Sequence, residues 1–520
     1  MINHWRFFVA AIGLICVAAQ TQPADIASFV CEKRNDDLAP GNGCLCQSDT
    51  KRESFRDVKR SILKAHTDWI TCIAISPDSR TLASSSWDGA ICVWDRASEK
   101  LLHRLDRQSD GMRHPVCGVA FSPDARVIVS ANQSGGIRFW DASTGKFLRQ
   151  VQERHYDVYS VAFCPDGKRL AIQSGKSAKL LDVATGQDVR SCARADSHGT
   201  ALAISPDGEI LISAGNLNLY FWELGSGKLI SRQSNRFCFD VAFSPSGLLI
   251  ASAGAGSVLI QDPSSGREIV EIDDVRPNSG RPIAFSPDGR FLAVSEGKDV
   301  RFWDIGARGF LSAVIRHDAP VSAIAFAPDG DTLVCGGRDG AVLLCKVAGM
   351  LPALEPMKAN ALLDQLKHSD KLRVHMAFSR LRANPDHALA ALKDCLERPA
   401  AGNDMLLQRI KDLDSPVFET REMAMKELRK TGRAAEQTLH SSRKNHLSLE
   451  ARRRIDLLLH DLDVDPDRPF VLLCVRLLES INTEPARDLL RALERREPDT
   501  HLADAARKAL LRVGTQHKIR

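Results

Sequence analysis

A four-residue string, Ser-Pro-Asp-Gly or a near copy, returns seven times along the chain. It reads SPDS at 76–79, SPDA at 122–125, CPDG at 164–167, SPDG at 205–208, SPSG at 244–247, SPDG at 286–289 and APDG at 327–330. Successive copies start 46, 42, 41, 39, 42 and 41 residues apart. Self-similarity at that period marks a repeat architecture, in which one unit cannot bury its apolar surface alone and must stack on its neighbours. Each copy has the same grammar. An apolar stretch such as VCGVAF or VSAIAF precedes the string, whose Pro fixes φ and whose Gly tolerates positive φ. Stretches such as TLASSS or RFLAVS, then AICVW or DVRFW, then KLLHRL or REIVEI follow, separated by Gly-containing turns. The spacing predicts antiparallel sheets of four strands.

With these residues the chain resembles the WD-repeat β-propeller family. Trp94-Asp95, Trp140-Asp141 and Trp303-Asp304 carry the signature dipeptide and Trp222-Glu223 is a near match, whereas Leu181-Asp182, Gln261-Asp262 and Cys345-Lys346 stand in the other copies. The resemblance covers about residues 54–347 and implies a seven-bladed all-β propeller. Residues 55–64, FRDVKRSILK, have the character of a fourth strand with no blade before them; pairing with the last copy would close the ring.

His66, Ser84, Asp88 and Trp94 invite two readings. Ser, His and Asp are the parts of a hydrolytic triad, but no Gly-x-Ser-x-Gly elbow exposes a nucleophile. In WD repeats the matched positions form a structural tetrad, and that is the reading preferred here. His317 and Asp339 persist in the last copy, where Cys335 and Cys345 replace the Ser and Trp; Met112 and Ser134 replace the His and Asp of the second. GKS at 175–177 lacks the first Gly of a phosphate loop, Leu170 standing there, and no His-Glu-x-x-His is present. No catalytic residue, cofactor site or metal site is therefore assigned.

After Val347 the pattern changes. A linker is expected over 348–356, with Pro352 and Pro356, then an all-α domain over 357–513 and a tail over 514–520. Ala451, Ile455, Leu458 and Leu462 fall on one helical stripe, as do Leu502, Ala506, Ala509 and Val513, and Val471, Cys474, Val475 and Leu478. Ser415-Pro416 and Asn384-Pro385 are helix starts and Gly432 a stop. The stretch VFETREMAMKELRKTGRAAEQTL is similar to the HEAT- or armadillo-like domain that follows propellers in bacterial WD-repeat proteins, which implies a protein-interaction unit.

The net charge of +5 arises wholly from Pro352 onward, where 31 basic residues face 26 acidic ones. So thin an excess speaks against a nucleic-acid partner, which needs clustered basic charge. At the N-terminus, Arg6 precedes the apolar run Phe7–Ala19, with Val17 and Ala19 at signal-peptidase spacing. A signal peptide over 1–19 and export to the periplasm or cell envelope are expected, the alternative being an uncleaved anchor. Cys31, Cys44 and Cys46 lie in a polar segment over 20–53, where one disulfide or free thiols fit better than a metal. The function expected is a non-enzymatic scaffold binding proteins or peptides, with Trp69, Trp87 and Tyr156 as candidate contacts. A regulatory or sensory subunit is the alternative, and a hydrolase at the propeller channel a third reading.

Overall fold

The computed structural model describes residues 60–106, 114–153, 157–175, 177–192, 199–215, 218–234, 238–254, 256–273, 282–352, 357–396, 403–431, 435–443, 448–463, 468–496 and 501–519. Cys31, Cys44, Cys46 and Tyr156, the expected signal peptide and residues 55–59 of the expected closing strand lie outside them.

Each Ser-Pro-Asp string folds through its own side chains. The Ser76 hydroxyl donates to Asp78 Oδ1 at 2.5 Å and accepts from the Thr81 N–H at 2.9 Å, and Asp78 accepts from the Arg80 N–H at 3.0 Å. The same three bonds recur around Ser122 and Asp124, Ser205 and Asp207, and Ser286 and Asp288. The turn also needs a left-handed residue, which Gly supplies at 208 and 289. Ser79 and Ala125 hold that conformation at φ of 61° and 59° without being glycine. Ser79→Gly and Ala125→Gly are each expected to stabilise by about 0.5–1 kcal/mol, since relief of the steric cost exceeds the added chain entropy; chemical denaturation checks this.

The turns join strands into seven four-stranded antiparallel sheets. Six are built from consecutive strands, blade 1 over 70–105, blade 2 over 116–152, blade 3 over 158–191, blade 4 over 199–234, blade 5 over 240–272 and blade 6 over 283–316. Blade 7 takes three strands from 321–346 and its fourth from Arg60–Lys64, which runs antiparallel to Ala341–Lys346 with Leu63 opposite Val342. The middle strands are apolar on both faces because each sheet is covered on both sides. Leu82 and Trp94 of blade 1 pack with Val334 and Leu344 of blade 7, while Ala83 and Val93 pack with Ile128 and Trp140 of blade 2.

The linker is not free-running. Met350 and Leu351 pack against the core of blades 6 and 7, and the Pro352 carbonyl accepts from Arg290 at 2.8 Å. Helices follow: α1 (Ala359–Gln365), α2 (Lys371–Ala383), α3 (Pro385–Leu396), α4 (Asn403–Asp412), α5 (Phe418–Thr431), α6 (Glu436–Arg443), α7 (Leu449–Asp463), α8 (Arg468–Ile481), α9 (Glu484–Arg496) and α10 (His501–Ile519). The expected tail at 514–520 is corrected through residue 519, which is helix. Gly514 costs only about 1 kcal/mol in a helix interior and does not stop it. The helices form two cores in a nested order. Leu363, Phe378 and Leu392 of α1 to α3 pack with Cys474, Leu490 and Ala506 of α8 to α10. Leu406, Met425, Leu439 and Ile455 of α4 to α7 form a separate core.

Candidate functional site

In blade 1 the four singled-out side chains meet. His66 Nδ1 bonds Asp88 Oδ2 at 3.1 Å, His66 Nε2 bonds Ser84 Oγ at 2.9 Å, and the Trp94 indole N–H donates to the same hydroxyl at 3.1 Å. Asp88 also accepts from the Thr67 and Ala90 N–H groups and from Arg104. Burial would raise its carboxyl, but the bonds from His66, Ala90 and Thr67 outweigh that and hold it well below the usual carboxylate range. His66, Ser84, Asp88 and Trp94 are all buried, and the serine hydroxyl is occupied from two sides. The arrangement ties two loops and two strands together and leaves no access for a substrate.

The other blades show what this tie tolerates. The indole-to-hydroxyl bond persists from Trp140 to Ser130 and from Trp222 to Ser213, each at 3.0 Å. In blade 2 Asn132, not Ser134, takes the capping role of Asp88: its Oδ1 accepts from the Gly136 N–H at 2.7 Å and from Ser134 itself. In blade 5 Gln261 stands in the tryptophan position and accepts from Ser252 at 3.4 Å. Trp303 instead packs edge-on against Phe310 at 5.0 Å, while the Asp141 and Asp304 carboxylates cap the N–H groups of the turns that follow them. In blade 7 no hydrogen bond joins His317 to Asp339. His317 Nδ1 accepts from the Ala319 N–H and its Nε2 is buried without a partner, because Cys335 offers no hydroxyl there; Asp339 caps Ala341. Cys335 and Cys345 are buried with the apolar residues of blades 6 and 7, and burial pushes the Cys345 thiol up to about 12. Both behave as small hydrophobes.

The inner strands carry a device that no motif announces. Thr71 Oγ1 donates to the Val116 carbonyl at 2.5 Å and Ser322 Oγ to the Ile70 carbonyl at 2.6 Å, while Asp240 Oδ2 accepts from the Ile283 N–H at 3.0 Å. Each bond clasps one blade to the next. Burial pushes the Asp240 carboxyl up to about 6 against the bonds from Ile283 and Val241. Among the described residues no three His, Cys, Asp or Glu side chains come together where they could hold a metal ion.

The helices dock on the Ser-Pro-Asp turns of blades 4 and 6 and on the Ser-Pro-Ser turn of blade 5. His375 of α2 is buried there; its Nε2 donates to the Gly289 carbonyl at 2.6 Å, so Nδ1 accepts from the Ser246 hydroxyl at 2.8 Å. Leu372 and Met376 enter the core of blades 5 and 6. Ion pairs ring the contact: Arg308 with Asp370 at 2.7 Å, Arg512 with Glu209 at 3.0 Å, Lys371 with Asp262 at 3.5 Å, and Arg476 with Asp207. Gly289 is required, since at φ 74° a Cβ would lie 2.7 Å from Ser379 Oγ and 2.9 Å from His375 Cε1. The sequence holds one signal for this contact, the serine that interrupts the string only at 246. Burial depresses the His375 imidazole to about 4, opposed first by the bond to the Gly289 carbonyl and then by Asp288. A base depressed in the folded state stabilises fully above its unfolded value near 6.5, and that contribution drains away as pH falls toward about 4. His375→Ala is expected to weaken docking by about 2–4 kcal/mol through the lost ring and two orphaned partners. Limited proteolysis across that pH range checks it: the wild type should loosen on acidification, and the variant should be loose throughout.

Across the propeller from these turns, Trp69 and Trp87 lie at the opposite ends of the strands that the blade 1 turn joins. Their ring centres are 6.2 Å apart, and the Arg338 guanidinium sits 4.6 Å over Trp69. The Trp87 N–H donates to the Trp69 carbonyl at 3.0 Å.

The family described as WD domain, G-beta repeat matches residues 58–95, 100–141, 283–304 and 310–345, which span the strands and ties just described in blades 1, 2, 6 and 7. These are WD40 repeats. The chain is 28% identical to transducin beta-like protein 3 of Bos taurus over 38% of its own length and 26% of that protein. It is 26% identical to human WD repeat-containing protein 90 over 55% and 17%, and 27% identical to nuclear distribution protein PAC1 of Arthroderma otae over 52% and 66%. The chain thus spans about a quarter or less of the first relatives it matches, and all three relatives are eukaryotic.

Proposed function

We propose that this chain is a non-enzymatic scaffold that holds a protein or peptide partner on the propeller face opposite the docked helices. The observation that carries this reading is the division of labour between the two faces. The corresponding turns of blades 4 to 6 are used to hold the chain's own helices, whereas the loops at the other end carry the half-buried Trp69, Trp87 and Arg338. Tryptophan and arginine are the side chains that dominate protein recognition, and here the tetrad and the inner-strand clasps hold the loops rigid, which lowers the entropy lost on binding. The occupied hydroxyl of Ser84 supports a structural over a hydrolytic use of His66 and Asp88. The finer form of the proposal is a regulatory or sensory subunit of a bacterial complex, exported by its N-terminal segment, with the HEAT-like helices as a second surface. Among the described residues no helix is long and apolar enough to cross a membrane.

Cross-linking capture from the native organism tests the scaffold. A partner retained by the wild type and lost by Trp69→Ala with Arg338→Gln, at unchanged melting temperature, supports it; equal capture by both refutes the assigned face. N-terminal sequencing of the purified protein tests export, which fails if the soluble cytosolic form begins at Met1.

A further inference from the structure

Between the docked helices and blades 4 and 5 lies a cleft of about 290 Å³, walled by Pro206 and Pro245 on the propeller and by Phe378, Arg382, Ile481 and Asn482 on the helices. Its carboxylates are engaged: Asp207 is held by Arg476 and by its own turn, and Glu479 by Arg512. Arg382, half-buried on α2, is left over. Among the described residues neither an ion pair nor a hydrogen bond reaches its guanidinium, which lines the cleft, and burial lowers its pKa. An arginine cannot shed its proton, so the half-buried guanidinium keeps its full charge, with its donor fork free for an incoming anion.

We propose that Arg382 and this cleft form a binding site for a monocarboxylate with an apolar body, the carboxylate gripped by the guanidinium fork and the body lying against Pro206, Pro245 and Ile481. One uncompensated positive charge matches one negative charge. A phosphate would bring about two negative charges to a single free cation, and would leave the apolar wall unused. The volume suits a ligand of amino-acid size. Because the wall comes from both the propeller and the helices, occupancy strengthens docking by mass action. The carboxylate can come from a free small molecule or from an acidic side chain of a bound protein. This site is independent of the face assigned above.

Calorimetric titration of the full chain with phenylacetate, its neutral isostere phenylacetamide, and the capped peptide acetyl-Leu-Glu-Leu-amide tests it. Phenylacetate or the peptide should bind, phenylacetamide should bind at least about tenfold more weakly, and Arg382→Gln should lose about tenfold or more, as removal of a charge-assisted bidentate contact predicts. Arg373→Gln, on the same helix outside the cleft, should bind as the wild type does. Tighter binding of the peptide identifies a protein side chain as the source, and tighter binding of phenylacetate a free metabolite. Equal affinity for phenylacetate and phenylacetamide, no binding of either carboxylate, or unchanged affinity in Arg382→Gln overturns the proposal. Should Arg382→Gln fail to fold, the acid-versus-amide comparison on the wild type and Arg382→Lys decide.

Discussion

Deletion of Arg60–Lys64 is expected to lower the melting temperature of the WD40 propeller by about 10 °C or more and to make it aggregate on heating. The strand contributes the buried Leu63 and pairs along its length with Ala341–Lys346. Loss of one buried leucine removes about 2 kcal/mol, and the ladder bonds add about 1 kcal/mol each. A propeller of this size loses roughly 2–4 °C per kcal/mol. The deletion also exposes AVLLCK as an apolar edge open to pairing with another chain. Differential scanning calorimetry with light scattering measures both; an unchanged melt would show that the ring does not depend on this closure.

Asp88→Ala is the second large effect, with an expected loss of about 3–5 kcal/mol. It strips one carboxylate from His66, the Thr67 and Ala90 N–H groups and Arg104, all at a buried site. Asp88→Asn keeps an acceptor and should cost less. Since the native bonds depress the Asp88 carboxyl, its contribution is complete above the unfolded value near 4 and is lost as pH falls below that. Urea midpoints measured between neutral pH and the lowest workable pH should therefore converge for wild type and Asp88→Asn on the acid side. A constant gap would rule out the tie as the source.

The candidate tie in blade 1 was legible because His66, Ser84, Asp88 and Trp94 keep the order and spacing of the repeat. Its variants were less so. Ser130 and Ser213 were not singled out, and Asn132 took a role that spacing alone gave to Ser134, since an amide oxygen two residues earlier reaches the same turn N–H. The clasps of Thr71, Ser322 and Asp240 gave no sign at all, because single polar residues in an inner strand look the same whether they face water or a neighbouring blade.

The period of about 41 residues, the seven sheets and the folding of each Ser-Pro-Asp turn follow from the amino-acid sequence, since these depend on residues within a few positions of one another and on one repeated burial rule. Only the tertiary structure decided that α1 to α3 share a core with α8 to α10 around an inserted unit, that His375 seats on Ser246 and Gly289, and that no ion pair among the described residues reaches Arg382. Those outcomes rest on groups far apart in the chain, 86 residues for His375 and Gly289 and 129 for His375 and Ser246, or on which of several nearby carboxylates each arginine reaches; a linear pattern of apolar and charged residues carries no record of such distances.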